Sequence, residues 1–267
     1  MSPAAHRKSE STPSASSGED ELASRRSVVQ SVDRAFAVLH VLQNAPGPLS
    51  VQETALRAGL DRTVVHRLLK TLVQHSMAVE EQGTFGLGPE SVALANRYID
   101  ALAVRRLALP HLVEIQTRDI ADSPWTATLS IPVGDISAVI ERVWTPTTPL
   151  DVVLNSAEAL PIDLTATGRS ILAFYEPQRL VDILGKKRAE TLQPILDATR
   201  KAGGVGLSRG EAVPGVDAVA SVILSRRSVP VASLGVSGVQ LGDELAYDSR
   251  LATKLRRATH AIGAMIP

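Results

Sequence analysis

Residues 50–76 read SVQETALRAGLDRTVVHRLLKTLVQHS, two helical patterns joined by a glycine. Ser50 followed by Glu53 has the spacing of a capping box, which starts the first helix. Gly59 ends it by supplying the left-handed backbone that helix termini favour. Asp61 is placed to cap the second helix. At 100° per residue, Val65, Leu68, Leu69 and Leu72 share one side of that second helix, and Thr63, His66, Arg67 and Lys70 share the other. The first face requires a core. The second presents hydrogen-bond donors and positive charge over the opening turns of a helix, where a DNA-reading helix reaches base edges.

The flanking residues complete a unit. Upstream, SVDRAFAVLHVLQNA gives an amphipathic helix with Val32, Ala35, Phe36, Leu39 and Leu42 along one face, stopped by Pro46, Gly47 and Pro48. Downstream, MAVEEQGTFGLGP reads as two short strands around a Gln82-Gly83-Thr84 turn. Three helices followed by a hairpin make a winged helix-turn-helix, expected over 27–88. Residues 1–26, rich in Ser, Ala, Glu and Pro, bury too little apolar area to order themselves and are expected to form a disordered tail.

A chain of 267 residues is too long for this unit alone and suggests two domains. The net charge is zero, so DNA contact has to come from local charge. Such charge exists: Arg57, Arg62, Arg67 and Lys70 stand against Asp61 alone between positions 57 and 70. Cysteine is absent, which removes disulfides, thiolate metal sites and cysteine nucleophiles and fits a cytoplasmic protein. No run is long and apolar enough to span a membrane, and the amino terminus lacks a signal-peptide core, so no membrane partner is expected.

Beyond the wing, Pro89 suits the first position of a helix expected over 89–106. Val92, Ala95, Ile99 and Leu102 form a narrow stripe on it, coiled-coil-like in spacing. A linker helix pairing with a partner chain and a helix packing on its own domain both satisfy that stripe. From 107 to 267 helices and strands mix. LALPHLVEIQTRDI is helical, WTATLSIPVGD and ISAVIERVW form a hairpin, and residues 148–156 read as a further strand. Short helices follow, then three strands from Gly204 to Val239 and a closing helix bearing Leu251, Leu255, Ala258, Ile262 and Met265 on one face. Antiparallel strands with helices around them give an α+β domain.

These patterns, in this order, resemble the IclR family of bacterial transcription regulators. SVDRAFAVL is similar to the family's first-helix signature, and AGLDRTVVHRLLKTL to its recognition helix. PIDLTATGRSILA resembles its small-residue turn before a helix, and GVGLSRGEAVPGVDAVASVI with PVASLGVSGV resembles its final strands. The resemblance covers nearly everything after the tail. It implies an α+β chain with an N-terminal winged helix-turn-helix, a linker helix and a C-terminal GAF-like effector-binding domain. It also implies homodimers, often paired as dimers of dimers, and a small-molecule effector. Two positions depart from the pattern: Arg169 stands where members commonly have Lys, and Gly235 where they commonly have Ser in the ligand-facing strand.

The DNA expectation rests on Arg57, Arg62, Thr63, His66, Arg67 and Lys70. Arg can bond guanine bidentately, Thr63 can touch phosphate or a thymine methyl, and Lys70 suits backbone phosphate. The alternative is the solvated face of an ordinary helix. In the wing, Glu80 and Glu81 repel phosphate. The effector expectation begins with Thr165, Ala166 and Thr167, where hydroxyls and backbone N–H groups gather at a helix start suited to an anion or carbonyl. Plain N-capping by Thr165 or Thr167 accounts for the same residues. In the last strand, Ser233, Gly235 and Ser237 alternate with Ala232, Leu234 and Val236, and the small polar set suits either a cavity wall or a solvent-facing surface. The resemblance places Ser208, Val216, Ala218 and Ser237 at ligand-facing positions, together with Ala166 and Thr167, and adds Val152 as an apolar wall. Trp125 is a candidate to stack on a ligand, though a Trp in a sheet is more often core.

No carboxylate pair or histidine cluster has metal or acid/base spacing, and no phosphate-binding loop or nucleophile elbow is present. No catalytic residue, metal or cofactor is therefore expected. The reading is a ligand-responsive regulator binding a palindromic operator in double-stranded DNA, modulated by a small carboxylate or aromatic compound. Its rivals are a small-molecule enzyme on the GAF-like domain and a protein-interaction adaptor.

Overall fold

The computed structural model describes residues 29–146, 148 and 159–267. The segment 1–26, Val152 and all but one residue of the strand expected over 148–156 lie outside these. The chain divides into two compact units between Arg97 and Tyr98.

In the first unit, α1 (Gln30–Gln43), α2 (Val51–Ala58) and α3 (Arg62–Gln74) pack together, with β1 (Leu49–Ser50), β2 (Ala78–Glu81) and β3 (Thr84–Leu87) forming a sheet in the order β1-β3-β2. The capping box is made in both directions: Glu53 N–H donates to Ser50 Oγ at 3.2 Å, and Ser50 N–H to Glu53 Oε2 at 2.9 Å. Gly59 adopts φ 63°. Asp61 Oδ1 accepts the N–H groups of Thr63 and Val64 at 2.8 and 3.2 Å. The Val64 and Thr63 N–H bonds hold its carboxyl below the ordinary range. Val38, Leu42, Val65, Leu69, Leu72 and Phe85 fill the core. The face expected of α1 needs correction. Leu39 and Leu42 of that face do pack into the core, but Val32 and Phe36 are 50% and 55% exposed, and Val38, outside the expected face, is buried with Leu42. The sequence spacing allowed either line, and only packing against the neighbouring helices selects one.

The stretch expected as one linker helix over 89–106 is interrupted. Helix α4 (Glu90–Ala101) ends before Leu102, which takes an extended conformation and starts α5 (Ala103–Glu114). Val104, Ala108 and Leu112 of α5 are buried in the core of the second unit, whereas α4 buries none of its residues.

That second unit is built on a six-stranded antiparallel sheet, β4 (Trp125–Val133), β5 (Ile136–Val143), β6 (Ala159–Pro161), β7 (Val205–Arg209), β8 (Asp217–Leu224) and β9 (Pro230–Gly238), in the order β6-β5-β4-β9-β8-β7. One face carries α5 and the closing helix α9 (Arg250–Gly263) over Ala127, Leu129, Val219, Leu234 and Val236. Against the other lie α6 (Ala166–Leu172), α7 (Pro177–Leu184) and α8 (Lys186–Lys201), whose core includes Ile171, Leu172, Leu180, Leu196 and Val222. This is the α+β arrangement the sequence pattern implies. Two glycines let α6 approach the backbone around it. A Cβ on Gly206 would collide with the Ala166 carbonyl, and one on Gly168 with the Ile162 carbonyl. Between β4 and β5 the register slips by one. Leu129 faces Glu141 but Ser130 faces Val139, so Ile140 is an extra residue in β5, a β-bulge.

Candidate DNA interface and effector cavity

The Asp61 cap starts α3 so that its buried side, Val65, Leu69 and Leu72, sits in the core and its other side faces outward. Arg62, Thr63, His66, Arg67 and Lys70 are all exposed, as is Arg57 on α2. Arg57, Arg62, Arg67 and Lys70 are cationic, on a chain of zero net charge. Lys70 is not idle: its Nζ lies 2.6 Å from Glu80 Oε2 on β2. The wing carboxylate expected to repel phosphate thus holds the lysine expected to meet it. The hairpin turns through Gln82 and Gly83, at φ 50° and 81°.

In the second unit, Thr165, Ala166, Thr167, Ser208, Val216, Ala218, Gly235 and Ser237 all line one cavity of about 290 Å³. The strand alternation is resolved as a cavity wall. Ala232, Leu234 and Val236 are buried in the core beneath α5 and α9. On the opposite side, Ser233 is buried and bonded by Ser170 Oγ at 2.8 Å, while Gly235 and Ser237 open to the cavity.

Several hydroxyls already have partners. Thr165 Oγ1 accepts the Gly168 N–H at 3.0 Å, so Thr165 caps α6. Ser208 Oγ donates to the Leu164 carbonyl at 2.9 Å. Thr167 on α6 and Ser137 on β5, both on the cavity wall, share a hydrogen bond of 2.9 Å. With seven residues, α6 is too short to offer much dipole, and the expected anion site at its start is weakened accordingly. The space where a Ser at 235 would point is filled. A Cβ there would lie 2.9 Å from the Thr167 methyl and 3.3 Å from Thr128 Oγ1. Thr128 supplies from β4 a hydroxyl that Gly235 lacks.

Beside the cavity, Arg169 is buried. Its Nε donates to the Asp163 carbonyl at 2.9 Å, and its Nη1 to the Leu207 carbonyl at 2.8 Å and to Glu211 Oε1 at 2.9 Å. Burial opposes ionisation of Glu211, but the Arg169 hydrogen bond and the N–H groups of Arg209 and Glu211 outweigh it and hold the carboxyl at about 2. Glu211 starts the turn whose Ala212, Val213 and Pro214 cover the cavity.

Thr128, Ser130, Ser137 and Arg142 also line it, and sequence reasoning missed them. The run Thr126-Thr128-Ser130, alternating with Ala127-Leu129-Ile131, carried the same two-residue signal as β9 and pointed to the first two. Ser130 is 1% exposed, and its hydroxyl has no hydrogen-bond partner among the described residues. Trp125 does not line the cavity. Its Nε1 donates to the Val239 carbonyl at 3.0 Å and its ring covers Gly238.

A profile described as the IclR helix-turn-helix domain matches residues 31–82, and one for the bacterial transcriptional regulator IclR C-terminal matches residues 96–264. The chain belongs to the IclR family of transcriptional regulators. It is 31% identical over 229 residues to the HTH-type transcriptional regulator Rv1719 of Mycobacterium tuberculosis, covering 82% of this chain and 85% of that one. In fold it is similar to an IclR family transcriptional regulator from Brucella abortus, with a TM-score of 0.73, 22% identity, and 91% and 94% of the two chains covered. It is also similar to an IclR homolog from Microbacterium hydrocarbonoxydans complexed with 4-hydroxybenzoate, with a TM-score of 0.66, 21% identity, and 87% and 97% covered. This family member accordingly carries a DNA-binding helix-turn-helix domain and a C-terminal effector domain, and its relatives are regulators, not enzymes. Among the described residues no helix is long and apolar enough to cross a membrane, and no cluster of His, Asp and Glu could hold a metal ion.

Proposed function

We propose that this regulator binds a palindromic operator through Arg57, Arg62, Thr63, His66, Arg67 and Lys70, and that a small carboxylate or aromatic molecule in the C-terminal cavity modulates the binding. The observation that carries the first half is the outward, cationic face of a capped helix in a winged domain. The gathering of eight expected residues around one cavity carries the second. The 4-hydroxybenzoate in the Microbacterium homolog fits a cavity of this size and mixed character. Operator symmetry calls for a two-fold protein, and uncovered apolar side chains supply a surface for one. Val92, Leu94 and Tyr98 of α4 are 60%, 56% and 58% exposed. The protein then acts as a dimer or a pair of dimers.

The test is fluorescence anisotropy with labelled DNA from upstream of the protein's own gene. Specific binding should weaken steeply with rising salt, as bound phosphates exchange counterions. Binding that is absent, or indifferent to salt and sequence, would refute the reading and favour the adaptor.

A further inference from the structure

A second cavity of about 380 Å³ lies in the C-terminal unit where β8 ends, and it shares no lining residue with the first. Three pieces of chain form it: Gly203 beyond α8, the turn joining β8 to β9, and the last turns of α9. Val222 and Leu224 of β8 give it an apolar side. Its charge has one sign. Arg226 comes from the turn and Arg256 from α9, His260 follows one helical turn later, and no aspartate or glutamate lines the space.

Elsewhere in this unit arginines meet carboxylates. Arg105, Arg169, Arg188, Arg200 and Arg250 each do so within 3.2 Å. Arg226 and Arg256 have no ion-pair partner among the described residues, and main chain holds them instead. Arg226 Nε donates to the Ala264 carbonyl at 2.7 Å, and its backbone N–H to the Ile266 carbonyl at 3.0 Å. Arg256 Nη1 donates to the Ala202 carbonyl at 3.4 Å. Each guanidinium is tethered at one edge, and its other N–H groups make no hydrogen bond among the described residues. Carbonyls at a helix end ordinarily repel an anion. Here those of His260, Ile262, Gly263 and Ala264 already accept hydrogen bonds, the last from Arg226 itself. Capping α9 accounts for Arg226 but gives Arg256 no role.

We propose that this groove is a second ligand site, separate from the effector cavity, and that Arg226 and Arg256 bind the phosphate of a small phosphate ester there. Two guanidiniums on separate elements can divide the three oxygens and double charge of a phosphate monoester, where a carboxylate offers one charge and two oxygens. Ser228, at φ 60° in the turn, adds an exposed hydroxyl to the wall. The volume falls within the roughly 300–1,000 Å³ of small-molecule sites, which leaves room beside the phosphate for an organic body against Val222 and Leu224.

Isothermal titration of the full chain at fixed ionic strength tests this with phenyl phosphate, glucose 6-phosphate and adenosine 5′-monophosphate, against phenol, glucose and adenosine. At least one ester should bind about tenfold or more tightly than its parent, the usual worth of a charge-assisted hydrogen bond. If that ester is phenyl phosphate, phenyl sulfate, with one charge fewer, should bind several-fold more weakly. Arg256→Gln, on an exposed side chain, should lower ester affinity at least tenfold with an unchanged circular dichroism melting curve. Arg226→Gln should do the same, with some loss of stability from the missing cap. Ser237→Leu, which fills the first cavity, should bind the ester as the wild type does. Ester binding that survives Arg256→Gln, or that Ser237→Leu abolishes, overturns the proposal. So does the absence of ester binding. If unrelated duplex DNA, and no ester, loses affinity in Arg256→Gln, the groove serves nucleic acid and the proposal falls.

Discussion

The guanidinium of Arg169 lies 2.9 Å from the carboxylate of Glu211 and ties the helix at one edge of the cavity to the turn that covers it. Arg169 is 5% exposed, so removing its partner leaves a buried charge short of a bond. Glu211→Gln should lower stability by about 2 kcal/mol, less than a fully buried pair because the Glu211 side chain is 39% exposed. The pH dependence has a defined sign. Folding depresses the Glu211 carboxyl from its ordinary 4.5 to about 2. Its contribution is therefore complete above pH 4.5 and is lost as pH falls towards 2. Urea denaturation of both proteins should show a constant gap from neutrality down to about pH 4.5, closing below it. A gap that instead grows in acid would contradict this account.

The Lys70–Glu80 ion pair predicts a gain of function. Glu80→Gln releases Lys70 from its 2.6 Å partner and removes a charge that repels phosphate. Operator affinity at low salt should rise several-fold, and the slope of log K against log salt should steepen by about one counterion. An unchanged slope would show that Lys70 stays clear of the backbone.

Arg67→Ala and Ser237→Leu separate the two activities. The first should weaken operator binding by about 1–3 kcal/mol if Arg67 reads a base edge, with ligand affinity intact. The second places a bulky side chain at the cavity wall and should block ligand while unliganded operator binding persists. Measured on one DNA fragment, loss of both activities in both variants would refute a modular protein.

Val92→Asp puts a charge on the uncovered side of α4. If that helix pairs with a second copy, light scattering should report a smaller assembly for the variant than for the wild type at the same concentration. Identical masses would place the assembly contact elsewhere.

The winged unit was legible because its signals are local. Ser50, Glu53, Gly59 and Asp61 each act on backbone within three residues, and the facing of α3 follows from its own period. The β9 alternation was equally readable, and β4 carried the same pattern unread. Arg142 was hidden for a different reason. A bulge without glycine or proline leaves no local mark, and the facing of residues beyond it depends on pairing with a strand elsewhere in the chain. The same non-local logic misled the reading of α1. Val32 and Phe36 look like core residues in sequence, and packing leaves them outside.

The collisions that side chains at Gly168 and Gly206 would suffer have a mechanical consequence. Where main chain rests directly on main chain, no rotamer can yield to let the two pieces slide. The cavity is therefore a vice with one fixed jaw, the α6 edge. Its other jaw is the turn beyond Glu211, whose carboxylate is gripped at once by Arg169, the Ser208 hydroxyl and the Arg209 N–H, so that losing one hold loosens it without freeing it.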